Sequence, residues 1–216
     1  MRDDNFVSYD TKPIQEYDLF QQAYDYFNDR LFAGQLPPCL ITLQRKKGAY
    51  GYFSGDRFES RTNAETTTDE IAMNPAHFHQ GDLETLDTLV HEMCHLWQHH
   101  FGKISRGGYH NKEWATKMLD IGLTPSSTGK PGGKMTGQKV SDFITPGGLF
   151  ESEARGLLGT GFTFRWQSRE STKGKNGGSG KNKTKYTCPD CGQNAWGKPG
   201  ARLICGDCNQ PMEHDE

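Results

Sequence analysis

Three residues carry the chemistry this chain advertises: His91, Glu92 and His95, in the run Leu89-Val-His-Glu-Met-Cys-His-Leu-Trp97. The order is His-Glu-x-x-His. On a helix, residues four apart stand one above the other on one face, so two imidazoles can address one ion. The carboxylate beside the first can reach a water on that ion. Two neutral imidazoles and a proton-accepting glutamate are the parts of a zinc hydrolase site.

A catalytic zinc usually takes a third protein ligand. His99 and His100 are nearest in sequence. On a straight helix, His99 lies about 12 Å from His91 along the axis, too far for one ion, and no Gly or Pro interrupts before Gly102. His110 is better placed, because Ser105-Arg-Gly-Gly-Tyr109 can turn the chain back over the helix. Asp120 and Glu113 are rivals, and Glu113 can instead orient a ligand from behind. Tyr109 is a candidate to stabilise an oxyanion. Cys94 and Cys39 read as small core residues.

A second donor set closes the chain. Cys188-Pro-Asp-Cys191 and Cys205-Gly-Asp-Cys208 are two C-x-x-C pairs at the spacing of a tetrahedral four-thiolate zinc site. A unit this short cannot build a sufficient core, so the metal holds its fold. The expected complement is two Zn2+, one catalytic and one structural.

The elements that must position these groups follow from periodicity. Apolar residues from Ile14 to Leu31 recur at helical spacing, with Thr11 and Pro13 as a start and Gly34 as a stop. Cys39–Leu43, Ala49–Phe53 (extending to Phe58) and Glu70–Met73 read as three short strands. Asp82 can cap the motif helix, which runs to Gly102. A further helix spans Asn111–Ile121. Val140–Ile144 reads as a strand, Phe150–Leu158 as a helix, and Phe162, Phe164 and Trp166 alternate as a strand does. The fold class is α+β: helices packed on a small three-stranded sheet, with a C-terminal zinc ribbon.

The expected organisation is a catalytic domain over residues 14–125, a Ser/Gly/Lys-rich flexible loop or linker over 126–139, and a small α/β extension over 140–167. A basic flexible linker over 168–185 and the ribbon over 186–212 complete it. A hydrophobic content of 33% across 216 residues agrees that part of the chain is not core.

The net charge of −2 says little about partners, but its distribution says more. Residues 165–185 hold seven bases against Glu170 alone. Lys173, Lys175, Lys181, Lys183 and Lys185, with Trp196 as a stacking platform beside Trp166 and Tyr186, form a candidate nucleic-acid surface. A solvated linker is the competing reading of the same run. There is no apolar stretch of about 18 residues, hence no expected membrane span. The first residues do not resemble a signal peptide. A cytoplasmic, reducing location follows, nucleoid-associated in a bacterium, where cysteines serve as metal ligands rather than disulfides.

Three stretches together resemble the SprT-like family, which includes the eukaryotic DNA–protein crosslink protease Spartan. They are Phe27-Asn-Asp-Arg-Leu-Phe-Ala-Gly-Gln-Leu-Pro37, Glu70-Ile-Ala-Met-Asn-Pro75 and His91-Glu-Met-Cys-His95. His110 stands at the family's third-ligand spacing, and the cysteine unit matches a ribbon many members carry. The resemblance implies a minimal zincin core with His91, His95 and His110 on zinc and Glu92 catalytic. It further implies cleavage of proteins bound or crosslinked to DNA, with DNA as activator. The alternative is a nucleic-acid-binding or regulatory zinc protein without protease activity. Glu92 separates the two, because a purely structural metal site has no need of it.

Overall fold

A computed structural model describes residues 15–63, 65–169 and 183–214. The chain divides into two compact units, residues 1–169 and 170–216.

The first unit is organised around one helix. Its elements are α1 (Gln15–Phe32), β1 (Leu40–Leu43), β2 (Gly51–Glu59), β3 (Thr67–Met73), α2 (Asp82–Phe101), α3 (Lys112–Asp120), β4 (Leu123–Ser126), β5 (Ser141–Ile144) and α4 (Leu149–Gly159). The main sheet has the order β1-β3-β2, with β1 parallel and β2 antiparallel to the central β3. β3 is buried along most of its length because it is covered by both neighbours and by α2. α2 packs against β2, β3, α1, α3 and α4. Its residues Leu86, Leu89, Val90, Met93 and Leu96 are fully buried. A helix buried on this many sides is a rigid mount for whatever its remaining face carries.

α1 ends as its sequence suggests. Ala33 and Gly34 take positive φ of 54° and 68°, and Gly34 N donates to Asn28 O at 2.9 Å, closing the last turn. The expected start at Thr11, Pro13 and Ile14 lies outside the described residues.

Four expectations are corrected or narrowed. Asp82 does not cap α2: Gly81 holds the cap position without a side-chain hydrogen bond, and Asp82 is the first helical residue. Of the loop and linker readings of residues 126–139, the structure shows a hydrogen-bonded loop. Its first residue ends β4, Ser127 N donates to Lys134 O, and Gly137 exchanges two backbone hydrogen bonds with His110. Residues 140–167 are not a separate extension, since Val140, Phe150, Ala154, Leu157 and Phe162 belong to the same hydrophobic core as α1 and α2. Finally, Phe162, Phe164 and Trp166 form no strand. Phe164 stacks on Phe20 with ring centroids 4.3 Å apart. The buried Glu16 side chain, rather than a neighbouring strand, accepts from the Arg165 and Trp166 backbone amides at 3.1 and 3.4 Å.

In the second unit, β6 (Thr184–Thr187) and β7 (Asn194–Gly197) form an antiparallel hairpin. Tyr186 is its core: fully buried, it donates to Lys198 O at 2.7 Å and accepts from Ala201 N at 2.9 Å. It is therefore not free to stack on a base. Among the described residues, no helix is long and apolar enough to cross a membrane.

Candidate metal centre

α2 presents His91 and His95 on one face, and the chain after it is folded back so that His110 meets them. That return is held by a clasp. Gln98 Nε2 donates to Asn111 Oδ1 at 2.7 Å and to Glu113 Oε2 at 3.0 Å. Lys103 N donates to Glu113 Oε2 at 2.6 Å, and Asn111 Nδ2 to Lys103 O at 3.0 Å. Asn111 also caps α3 by accepting from Trp114 N at 2.9 Å. On its other side His110 pairs with Gly137, donating from N at 2.8 Å and accepting at O from Gly137 N at 3.0 Å. Glu113, a rival as third ligand, is thus committed to the clasp. The Lys103 amide holds its pKa below the ordinary value. Asp120, the other rival, ends α3 and belongs to no cluster of candidate ligands among the described residues.

One ring nitrogen each from His91, His95 and His110 lies within 4.8 Å of the others. His95 Nε2 and His110 Nε2 face each other at 3.2 Å. His91 Nδ1 donates to Asp142 Oδ1 at 2.7 Å, and His110 Nδ1 donates to Gly137 O at 3.3 Å. Both rings therefore spend Nδ1–H on an acceptor and keep the Nε2 lone pair. Rings whose Nδ1 protons are given to outer acceptors leave their Nε2 atoms to a cation. The residues fit a metal.

Electrostatics agree. Burial, with the neighbouring imidazoles, pulls His95 well below its ordinary pKa. Burial likewise pulls His110 down to about 4. Both are neutral, the form that can ligate. Burial also depresses His91, but the hydrogen bond and charge of Asp142 outweigh it, and the net shift is upward. Glu92 is buried at 7% exposure. Burial raises its pKa, against the opposing influence of His91.

Three participants were not legible as such in the sequence. Asp142 comes from β5, where it pairs with Pro125 of β4. Behind it stands Asp87, one turn before His91 on α2. Burial and the adjacent Asp142 push the Asp87 pKa well up. Trp114 of α3 walls the cluster, its ring centroid 5.0, 5.1 and 4.3 Å from those of His91, His95 and His110. An exact signal for these was lacking: an aspartate in a short strand and a tryptophan on a helix have many ordinary uses.

The cluster opens into a cleft of about 1180 Å³ lined by Lys46, Tyr50, Phe53, Arg106 and Tyr109, among others. Tyr109 thus lines the cleft into which the cluster opens. Gly51 of β2 lets the cleft floor lie close to α2: a Cβ there would stand 3.0 Å from Ala72 O, 3.1 Å from Thr88 Cγ2 and 3.3 Å from Glu92 Cγ.

In the second unit, Cys188, Cys191, Cys205 and Cys208 bring their sulfurs within 4.8 Å of one another. The two knuckles repeat one geometry. Gly192 N returns to Cys188 O at 3.0 Å and Asn209 N to Cys205 O at 2.8 Å. Gly192 and Asn209 have φ of 72° and 53°, which glycine and asparagine tolerate best. Backbone hydrogen bonds draw the Cys188 thiol down to about 7, so a thiolate forms readily there. All four are free thiols, and the group can hold a metal ion.

Lys183, Lys185 and Trp196 are exposed on the second unit, whereas Lys173, Lys175 and Lys181 lie outside the described residues. Trp196 is 62% exposed and pairs directly with Lys185 across the hairpin, so both project from the same face.

Comparison with known proteins places a family match on the first unit. The family model described as the SprT-like family matches residues 18–131. An uncharacterised protein in the mucB 3′ region of Salmonella typhimurium is 56% identical over 57 residues, covering 26% of this chain and 76% of that protein. No solved structure matches.

Proposed function

The chain belongs to the SprT-like family, and on that premise we propose that it is a zinc-dependent metallopeptidase with a minimal zincin-like core, acting on proteins bound or crosslinked to DNA. The observation that carries the peptidase reading is the buried Glu92 carboxyl beside three imidazoles whose nitrogens converge. A metal held only for structure gains nothing from a buried acid at that position, and the burial is costly.

His91, His95 and His110 are the residues that would hold the ion. Zinc bound there supplies a Lewis acid that acidifies water and polarises a peptide carbonyl. Glu92 accepts the water proton on its carboxylate as the C–O bond forms. It then delivers that proton to the amide nitrogen as the C–N bond breaks. Its raised pKa suits both halves of the transfer, since a base with a pKa closer to neutrality also returns the proton more readily. Asp142 fixes the His91 ring through Nδ1, and Trp114 limits how the three rings can tilt. The DNA part of the reading is supported by Lys183, Lys185 and Trp196 on the second unit, which combine cations with an exposed aromatic face. The cysteine group would hold the structural zinc.

The test incubates the full chain with a DNA-binding protein, with and without single-stranded DNA, beside Glu92→Gln. Cleavage stimulated by DNA, and abolished in Glu92→Gln with its zinc retained, is the expected result. A zinc-loaded protein that cuts nothing under either condition is a binding protein, not a peptidase. Equal cleavage with and without DNA, together with no DNA binding, removes the DNA part and leaves the peptidase.

A further inference from the structure

The far end of α2 carries a donor cluster that the His91 centre does not use. β2 is bulged there: its pairing with β3 shifts between Ser54 and Phe58, and Asp56 takes a φ of 50°. The bulge brings Asp56 Oδ2 to 3.3 Å from His99 Nε2. Gly55 lies under the His99 ring, where a Cβ would stand 2.5 Å from Cε1. From the central strand comes Asp69, 4% exposed. Its Oδ1 accepts from Asp56 N at 2.8 Å and its Oδ2 lies 2.6 Å from His100 Nε2. His99 Nε2 is 3.8 Å from Asp69 Oδ1.

Adjacent residues on a helix do not face each other. Yet one nitrogen each from His99 and His100 and one oxygen of Asp69 fall within 4.8 Å of one another. The strand bulge, the glycine under the ring and the buried carboxylate all serve that convergence. The last turn of α2 adds the negative end of its dipole, which favours a cation.

We propose that Asp69, His99 and His100 bind a divalent transition-metal ion that pins the C-terminal end of α2 to β3, with Asp56 of β2 beside the His99 ring. Two imidazole nitrogens with a carboxylate oxygen suit Zn2+, Co2+ or Mn2+, and are a poor match for Ca2+ or Mg2+, which prefer oxygen alone. The ion is separate from the one held by His91, His95 and His110, and its binding does not depend on peptidase activity. Its effect on that site is mechanical: α2 carries both His91 and His95, and the pin holds the helix end against the sheet.

The experiment strips the full chain of metal, equilibrates it by dialysis against Zn2+, and counts ions per chain by elemental analysis. The wild type is expected to hold about three ions, one for each donor cluster. His99→Gln/His100→Gln, which alters side chains outside the hydrophobic core, is expected to lose one ion. The isosteric Asp69→Asn is expected to lose the same one, with circular dichroism unchanged. Co2+ is expected to raise the melting temperature of the wild type more than that of the double variant. Equal ion counts in wild type and double variant overturn the proposal. In that case the cluster is a histidine–aspartate ion-pair network that needs no metal.

Discussion

Asp142 Oδ1 lies 2.7 Å from His91 Nδ1, joining a short strand to the first metal-site histidine across fifty-one residues of chain. The contact decides which nitrogen of His91 is free. With Nδ1–H donated to the carboxylate, Nε2 is left to ligate. Asp142→Ala removes the acceptor and is expected to weaken zinc binding roughly 10–100-fold, as loss of such supporting groups typically does. Competition with a chromophoric chelator measures this. Asp142→Asn keeps an acceptor oxygen without the charge and should fall between wild type and alanine. An alanine variant with unaltered affinity would mean that His91 is oriented by packing alone.

Zinc binding should release few protons. In the metal-free protein His110 has its pKa drawn down to about 4, and His95 is also well below the ordinary 6.5. Both are unprotonated at pH 7. His91 is shifted the other way by Asp142 and is the first of the three rings to protonate as pH falls. Between about pH 7 and 5 the affinity at this site should therefore fall with a slope near one proton, not three. Calorimetry in buffers of different ionisation heat, on a variant lacking the ribbon cysteines and carrying His99→Gln/His100→Gln, reads the number directly. The same depressed values predict a stability effect in the metal-free form. Stability contributed by His110 is complete above 6.5 and is lost as pH falls towards about 4, because the unfolded imidazole protonates first; His95, lowered likewise, acts in the same sense.

Gly51 sets how closely β2 approaches the helix that carries Glu92. Gly51→Ala would place a methyl group 3.3 Å from Glu92 Cγ and 3.0 Å from the Ala72 carbonyl oxygen. Backbone on one side cannot yield as readily as a side chain on the other, so the Glu92 side chain is expected to shift. Activity should drop with zinc content unchanged, and stability should fall by about 1–3 kcal/mol, as overpacking costs. Parallel measurement of turnover, zinc content and melting separates this from simple loss of the metal.

Local pattern explains why some of this was legible in the sequence. The motif helix, the three-strand sheet and the two cysteine knuckles each follow from spacing within a few residues. His110 was reachable because helix geometry ruled out His99 for the same ion. Asp142 and Trp114 were not, since their roles exist only once β5 and α3 are folded against α2. The segment from Val140 to Phe162 looked detachable because Ser- and Gly-rich chain precedes it. Its apolar residues nevertheless complete the core of α1 and α2, as Phe150 stacking on Phe27 at 5.7 Å shows. The Phe162–Trp166 alternation misled because Glu16 satisfied that backbone from a helix. His99 and His100 meet Asp69 instead, beside a bulge in β2 that sequence periodicity does not register.

The ribbon supplies the last prediction. Lys185 and Trp196 are cross-strand partners on one exposed face of the β6–β7 hairpin. An indole that is 62% exposed contributes little to its own fold, whereas a base can stack on it while the neighbouring ammonium meets the phosphate. Trp196→Ala is expected to weaken single-stranded DNA binding by about 1–3 kcal/mol, the usual worth of one stacked base. Lys185→Ala should weaken it too, and should reduce the dependence of affinity on salt by roughly 0.7 in the logarithmic slope, one phosphate's share for a single strand. The two variants thus have different signatures: the tryptophan shifts the affinity at every salt concentration, and the lysine changes the slope. Fluorescence anisotropy of a labelled oligonucleotide across a salt series distinguishes them. Ribbon integrity is checked by zinc content, because Tyr186 and the four cysteines, not Trp196, hold this unit together. Unchanged affinity and slope in both variants would remove this face of the hairpin as a nucleic-acid surface.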